Sequence, residues 1–348
     1  MPPLIASALR VLCGTIVLLS LVALVTGLVV RQPAWGRFPF PEGPRSDPGR
    51  LRTHVEFLCA PSFPRYADNT VAIERAADYI HEALTRSGSE VAEQRYKAFG
   101  KEFRNIVARF GPASGPRVVL GAHYDVCGRI PGADDNASGV AGLLEVARLL
   151  GTRRVDAPIE LVAFSTEEPP YFGGPEMGSA HHADSLRQTG VPVKAMICLE
   201  MIGFFSRRQP YSMLPIYLIF PHRGDFVAIA GRFEDRDLAK ILKRCFRGAG
   251  RVPAVSYSGP VEIGADLSDN RNYWAAGYPA VMVTDTAFLR NPNYHAAGDA
   301  PSTLDYERMA GVVDGVLSAV LRLAAADTPW PARAALSELD QGGIVYWR

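Results

Sequence analysis

The 348 residues hold 37 Lys+Arg against 36 Asp+Glu, so the chain carries no global basic field of the kind that gathers nucleic acid. Hydrophobic residues make up 48% and charged residues 21%, the balance of a folded rather than an unstructured chain. The length admits one large domain or two modest ones.

Residues 11–30 contain no charge and lie between Arg10 and Arg31. As a helix they would reach about 30 Å, the thickness of a bilayer's hydrocarbon core. A cleaved signal peptide would have a shorter apolar run and a small-x-small site before Arg31. An uncleaved transmembrane anchor over residues 8–30 is therefore expected. Counting Arg31, Arg37, Arg45, Arg50 and Arg52 against Arg10 would put the domain in the cytoplasm. A single N-terminal anchor ahead of a large domain suggests export instead, and the extracytoplasmic face is expected.

Residues 31–48 carry Pro33, Pro39, Pro41, Pro44 and Pro48 and read as a semi-extended spacer. The folded domain is expected over 49–327, with a tail over 328–348 that gives no reading. Residues 69–88 predict an amphipathic helix through Ile73, Ala76, Ala77, Ile80 and Leu84, stopped at Gly88. Strands follow at 90–96, 105–110 and 118–122, a helix at 138–150, a strand at 159–164 and a helix at 177–189. Further strands are predicted at 195–199, 214–220 and 280–284, and a last helix at 303–326. Strands alternating with helices of this length give an α/β fold with helices on both faces of a largely parallel sheet. Ligands of such sheets bind beyond the carboxyl ends of the strands.

The acidic and histidine clusters fall at those ends. His123-Tyr124-Asp125 follows the strand at 118–122, Glu167-Glu168 the strand at 159–164, and Glu200 the strand at 195–199; 280–284 leads through Asp285 to His295. Between the first two lie Asp134 and Asp135, opening a helix. Imidazole nitrogen and carboxylate oxygen suit Zn²⁺, and a two-metal centre needs about two histidines, terminal carboxylates and a bridging one. Asp125, two residues from His123 on an extended segment, can accept the second imidazole N–H and fix the tautomer. Adjacent buried glutamates repel unless cations neutralise them. His181 and His182, adjacent on a helix, point about 100° apart and read as a solvated face. The five cysteines contain no CxxC pair and read as buried small hydrophobes. The stretch 211–230, broken by Pro215 and Pro221, reads as a strand and loop beside a substrate pocket rather than a second span.

The series His123-x-Asp125, Asp135-Asn136-x-Ser138-Gly139, Glu167-Glu168, Glu200-Met-Ile-Gly203 and Tyr294-His295 resembles the M28 family of zinc metallopeptidases, in order and spacing, from about residue 105 to 306. That family includes bacterial secreted aminopeptidases, with glutamate carboxypeptidases and glutaminyl cyclases as relatives. The resemblance implies a three-layer α/β/α zinc-exopeptidase fold around a mixed, largely parallel sheet. It also implies two Zn²⁺ held by His123, Asp135, Glu168, Glu200 and His295, with Asp135 bridging and its peptide bond to Asn136 cis. Glu167 would be the general base, Asp125 would orient His123, and the substrate would be a peptide shortened from its N-terminus. The alternatives are a single-zinc, glutaminyl cyclase-like acyltransferase and a carboxypeptidase whose clamp is Arg271 or Arg290. Three positions depart from the family pattern: Glu200 where many members have Asp, Pro169-Pro170-Tyr171-Phe172 after the glutamates, and Asn270 where relatives often have His. Nothing in the sequence fixes the oligomeric state.

Overall fold

The computed structural model describes residues 3–62, 64–211, 214–261 and 264–325; the expected tail, and the end of the expected domain, lie outside them. The chain runs α1 (Pro3–Arg31), α2 (Pro48–Leu58), α3 (Thr70–Arg86), β1 (Glu90–Ala98), β2 (Lys101–Phe110), β3 (Arg117–His123) and α4 (Gly139–Gly151). It continues through β4 (Ile159–Phe164), α5 (Gly178–Gln188), β5 (Val193–Glu200), α6 (Leu214–Ile219), β6 (Val227–Gly231) and α7 (Arg236–Ala249). The described part ends with β7 (Ala254–Ser258), α8 (Asn270–Ala275), β8 (Ala280–Thr284) and α9 (Tyr306–Ala325).

The eight strands form one sheet in the order β1-β2-β4-β3-β5-β8-β6-β7. Its centre is parallel: β3 pairs with β4 and β5, and β5 with β8, all in that sense. Antiparallel pairs join β1 to β2, β2 to β4 and β6 to β8. Side chains alternate across each strand, so β3 sends Val118, Leu120 and Ala122 to one face and Val119 to the other. The first face is covered by α2, α3, α4, α7 and α9, the second by α5 and α8 through Ala183, Leu186, Tyr273 and Trp274. This is the three-layer α/β/α arrangement.

Three local expectations are overturned. Residues 214–219 form the short helix α6 instead of a strand; an apolar run of this length suits either state, and Pro215 at the second position needs no N–H partner in a helix's first turn. His182 is buried, with Nδ1 2.6 Å from Tyr273 Oη and Nε2 3.2 Å from Glu160 Oε1, while His181 stacks on Tyr96 at 4.3 Å, so neither belongs to a solvated face. All five cysteines are free; Cys59, Cys198 and Cys245 are buried as expected, whereas Cys13 is exposed and Cys127 half-buried.

Among the described residues one helix, α1, is long and apolar enough to cross a membrane over Leu12–Arg31, with a mean hydropathy of 2.5 and none of that window buried. The segment after it is extended but bound. Lys243 Nζ donates to the carbonyls of Arg31 and Gln32 at 2.7 and 2.8 Å, and Arg247 Nη1 to those of Ala34 and Gly36 at 2.8 and 2.6 Å. Phe38 N–H donates to the Arg244 carbonyl at 3.1 Å, and Arg45 and Ser46 tie to Asp314 on α9. The closest approach is at Gly248, where an added Cβ would sit 1.6 Å from the Phe38 carbonyl oxygen. Gly248→Ala is accordingly expected to free this segment while leaving α7 helical, since alanine is a better helix former by about 1 kcal/mol. Limited proteolysis of the full chain checks this: faster cutting near Arg37 with little change in melting temperature is the expected pattern. Cutting no faster than in the parent would show that the segment does not seat on α7.

Candidate metal centre

The central parallel strands bring the chemistry together because the candidate side chains lie at or just beyond their carboxyl ends, on the same edge of the sheet. His123 is the last residue of β3 and Glu200 the last of β5. Glu167 and Glu168 follow β4 after Thr166, which takes a positive φ of 59° and turns the chain back over the edge. His295 comes from the loop after β8 and also has a positive φ, 53°. Asp135 lies in the tight turn before α4, and the Asp135–Asn136 peptide is cis.

Asp135 stands between two sets of side chains. Its Oδ1 is 3.4 Å from His123 Nε2, which is also 3.2 Å from Glu200 Oε2. Its Oδ2 is 3.1 Å from His295 Nε2, which is also 3.3 Å from Glu168 Oε2. Glu167 Oε2 lies further out, 3.9 Å from His123 Nε2. The five residues expected as ligands, and Glu167, thus converge on one small volume. Donor atoms of His123, Asp135 and Glu168 fall within 4.8 Å of one another, as do those of His123, Glu167 and Glu200. A third such group is Cys127, Glu168 and His295, which the sequence did not suggest. Burial and the nearby carboxylates of Glu168 and Asp135 push the Cys127 thiol up to about 11.

Asp125 makes its hydrogen bonds to the glutamate turn. Its two oxygens accept the backbone N–H groups of Glu167 and Glu168 at 3.1 and 3.0 Å. Oδ1 also lies 3.5 Å from His123 Nδ1, an ion-pair distance beyond a good hydrogen bond. One carboxylate therefore ties the glutamate turn to the histidine strand. Asp299, unremarked in the sequence, does the same for the metal-bridging candidate: it accepts the N–H groups of Asp134 and Asp135 at 2.9 and 3.0 Å. Asp134 in turn accepts from Gly203 N–H and Asn291 Nδ2 at 2.9 Å each, and so joins loops. Asn136 bonds the Leu199 carbonyl at 2.8 Å and accepts from Gly139 and Met201 N–H, which seats α4 against the end of β5. Gly139 is needed there: a Cβ would lie 2.8 Å from the Leu199 oxygen. Ser268 Oγ donates to Glu200 Oε2 at 2.6 Å. Asn270 is buried and donates to the Ala265 carbonyl at 2.8 Å.

The electrostatics call for cations. Burial holds Glu167 well above the carboxylate range and Glu200 above it; burial and then the Asp135 charge bring Glu168 up to about 7; burial brings Asp269 up to about 7. Burial works against Asp135 as well, but the neighbouring imidazoles of His123 and His295 outweigh it and hold this carboxyl at about 2. His295 is raised to about 10 against its own burial by Asp135 and Glu168. Neither ring nitrogen of His123 has a hydrogen-bond partner, nor does Glu168 Oε1, although all are buried. Polar atoms without partners inside a cluster of carboxylates and imidazoles are what divalent zinc satisfies, so the donor set fits that metal.

Beside this centre an apolar pocket opens from Glu200 and Tyr294 along Tyr211, Phe220, Phe226, Ala230 and Met282. No basic side chain is among its described lining residues. Of the two arginines a carboxylate clamp could have used, Arg290 is buried and bonded to Gln209 Oε1 and the Phe226 carbonyl, and Arg271 stacks over Phe172 at 4.9 Å.

Comparison with known proteins agrees with this geometry. The uncharacterised protein YfbL of Escherichia coli K12 is 44% identical over 293 residues, 80% of this chain and 89% of that one. A probable leucine aminopeptidase of Arthroderma otae is 28% identical over 262 residues, 70% of this chain; the chain spans 64% of that relative's length. Among solved structures, the LapA aminopeptidase of Legionella pneumophila superposes with a TM-score of 0.65 at 22% identity, over 80% of this chain and 72% of that one. A glutaminyl cyclase of Bacteroides thetaiotaomicron gives 0.63 at 20%, over 80% of this chain and 99% of that one. At such identities the two structures share the fold. The model of peptidase family M28 matches residues 105–320, more than half of the chain, and the protein belongs to that family of zinc metallopeptidases.

Proposed function

We propose that this peptidase is a membrane-anchored aminopeptidase with two zinc ions per chain. The observation that carries the reading is the position of Asp135, each of whose oxygens serves a different histidine–glutamate pair. His123 and Glu200 with Oδ1 would hold one ion, His295 and Glu168 with Oδ2 the other. Ions held there would polarise the scissile carbonyl and lower the pKa of water at the site.

The chain's own groups do the rest. Glu167, fixed through its backbone to Asp125, takes the proton of the water that attacks the peptide carbonyl. It then hands that proton to the departing nitrogen, so the amine leaves neutral and Glu167 returns to its starting state. An excess of carboxylates over imidazoles favours a substrate's free α-amine at the site, and the neighbouring pocket accepts an apolar first side chain. The absence of a free basic clamp in the described pocket lining supports removal from the N-terminus over the C-terminus. The apolar α1 supports a single-pass anchor, with the domain on the extracytoplasmic face.

Metal analysis of the purified full chain, with an aminoacyl-reporter panel on the same sample, tests the reading. The expected result is two zinc ions per chain and faster release of leucyl and phenylalanyl than of lysyl or glutamyl groups. One ion per chain, with cyclisation of a glutaminyl peptide and no hydrolysis, would establish the cyclase instead.

A further inference from the structure

The position of α6 relative to α1 has a consequence for where the pocket lies. The last residue of α1 is fixed on the domain: its carbonyl accepts from Lys243 Nζ and, at 2.6 Å, from Ser256 Oγ. One helical turn earlier, Gly27 faces α6, where an added Cβ would lie 3.6 Å from Ile219 Cγ1. Four residues of helix rise about 6 Å. A span ending at Arg31 therefore puts α6 at the boundary between headgroups and acyl chains, the depth at which interfacial helices lie.

The side chains suit that depth. Leu218 is 68% exposed and Tyr217 45%, and Trp35, just beyond the span, is 86% exposed. Tryptophan and tyrosine concentrate at membrane–water interfaces. The groove between α1 and the domain is lined by Leu24, Leu28 and Leu218 together with Arg31, Lys243 and Arg247, and no acidic residue is among its described lining. Apolar and cationic groups side by side match an anionic lipid surface. The opposite side of α6 carries Ile216 into the apolar substrate pocket, and Val255 borders both the pocket and the groove.

We propose that α6 and Trp35 form a second membrane contact, which holds the substrate pocket against the bilayer surface. The inference rests on reading α1 as a membrane span, and the bilayer is the occupant of this face because the face continues from that span. The enzyme would then act on peptide ends that lie at the lipid surface.

The test uses the full chain in vesicles of phosphatidylcholine and phosphatidylglycerol, with nitroxide labels placed singly in a Cys13→Ser, Cys127→Ser background. Leu218→Cys reports on α6, Leu21→Cys on the span, and Val71→Cys, 70% exposed on α3, on water. Accessibility to a water-soluble nickel complex and to oxygen is read by electron paramagnetic resonance. The expected result is a Leu218 label shielded from nickel several-fold relative to Val71 and exposed to oxygen, as Leu21 is. A Leu218 label as open to nickel as Val71, with Leu21 still lipid-like, overturns the second contact and leaves the span intact. A nickel-accessible Leu21 removes the span itself, and the contact with it.

Discussion

Glu167→Gln should keep its metal and lose turnover by about 10²–10⁴-fold, the range that positioned acid–base groups contribute. The amide is nearly isosteric, and the hydrogen bonds that seat residues 167 and 168 on Asp125 come from backbone N–H groups, so the turn is retained. Metal content separates two roles. Glu167 Oε2 is 3.9 Å from His123 Nε2 while Glu200 Oε2 is 3.2 Å away, which supports Glu200 as the proposed ligand and Glu167 as the proposed base. Zinc measured by emission spectroscopy alongside turnover of a leucyl reporter decides the matter: loss of an ion in step with activity would make Glu167 a ligand, and unchanged turnover would end its role as base.

Chelation should destabilise the fold, and the loss should grow with pH. Without cations the cluster must keep protons to stay buried. Glu168 and Asp269, at about 7 in the folded protein, lie above the ordinary carboxylate range of about 4. A group raised in this way stabilises the folded state below its unfolded value, and that contribution disappears as the pH climbs to 7. His295, raised to about 10, acts in the same sense at higher pH: its contribution is complete below about 6.5 and gone once the pH passes 10. Asp135, held at about 2, has the opposite sign, but its window closes below pH 4. From pH 5 to 9 the contribution of this cluster to the stability of the metal-free protein therefore declines. Each tenfold change in proton affinity is about 1.4 kcal/mol, which makes the buried Glu168 alone a matter of a few kcal/mol. The melting temperature of the chelated full chain should fall by on the order of 5–10 °C across that interval. The zinc-loaded protein, whose ligands are already deprotonated, should change far less. Parallel curves for the two forms would mean that the cluster does not depend on cations for its burial.

The centre is readable because an apolar run such as 118–122 ends on histidine and 159–164 leads within three residues to paired glutamates, and parallel strands share the edge on which they end. His295 was readable only through its register with the others, as nothing in its loop marks it. What escaped were groups acting through main-chain atoms far away in sequence. Asp299 binds the amides of residues 134 and 135, and Asp125 those of 167 and 168, and no local pattern encodes either. The fold followed similar lines. Long amphipathic helices such as α3 and α9 were legible from their period, whereas the five-residue strands β6 and β7 were too short to show one. Helix α7, absent from the expected elements, carries Leu238, Leu242, Cys245, Phe246 and Ala249 at helical spacing. The run at 214–219 was misassigned because its period is compatible with both states.

The proposed ligands and base sit at or beyond the carboxyl ends of β3, β4, β5 and β8, but much of the apolar pocket is built from α6, β6, β7 and their loops at one margin of the sheet. Hydrolytic machinery and substrate taste therefore occupy separate territories. Substitutions at that margin can change which N-terminal residues are accepted while the cutting apparatus stays as it is, so lineages with the same motif series are free to diverge in diet.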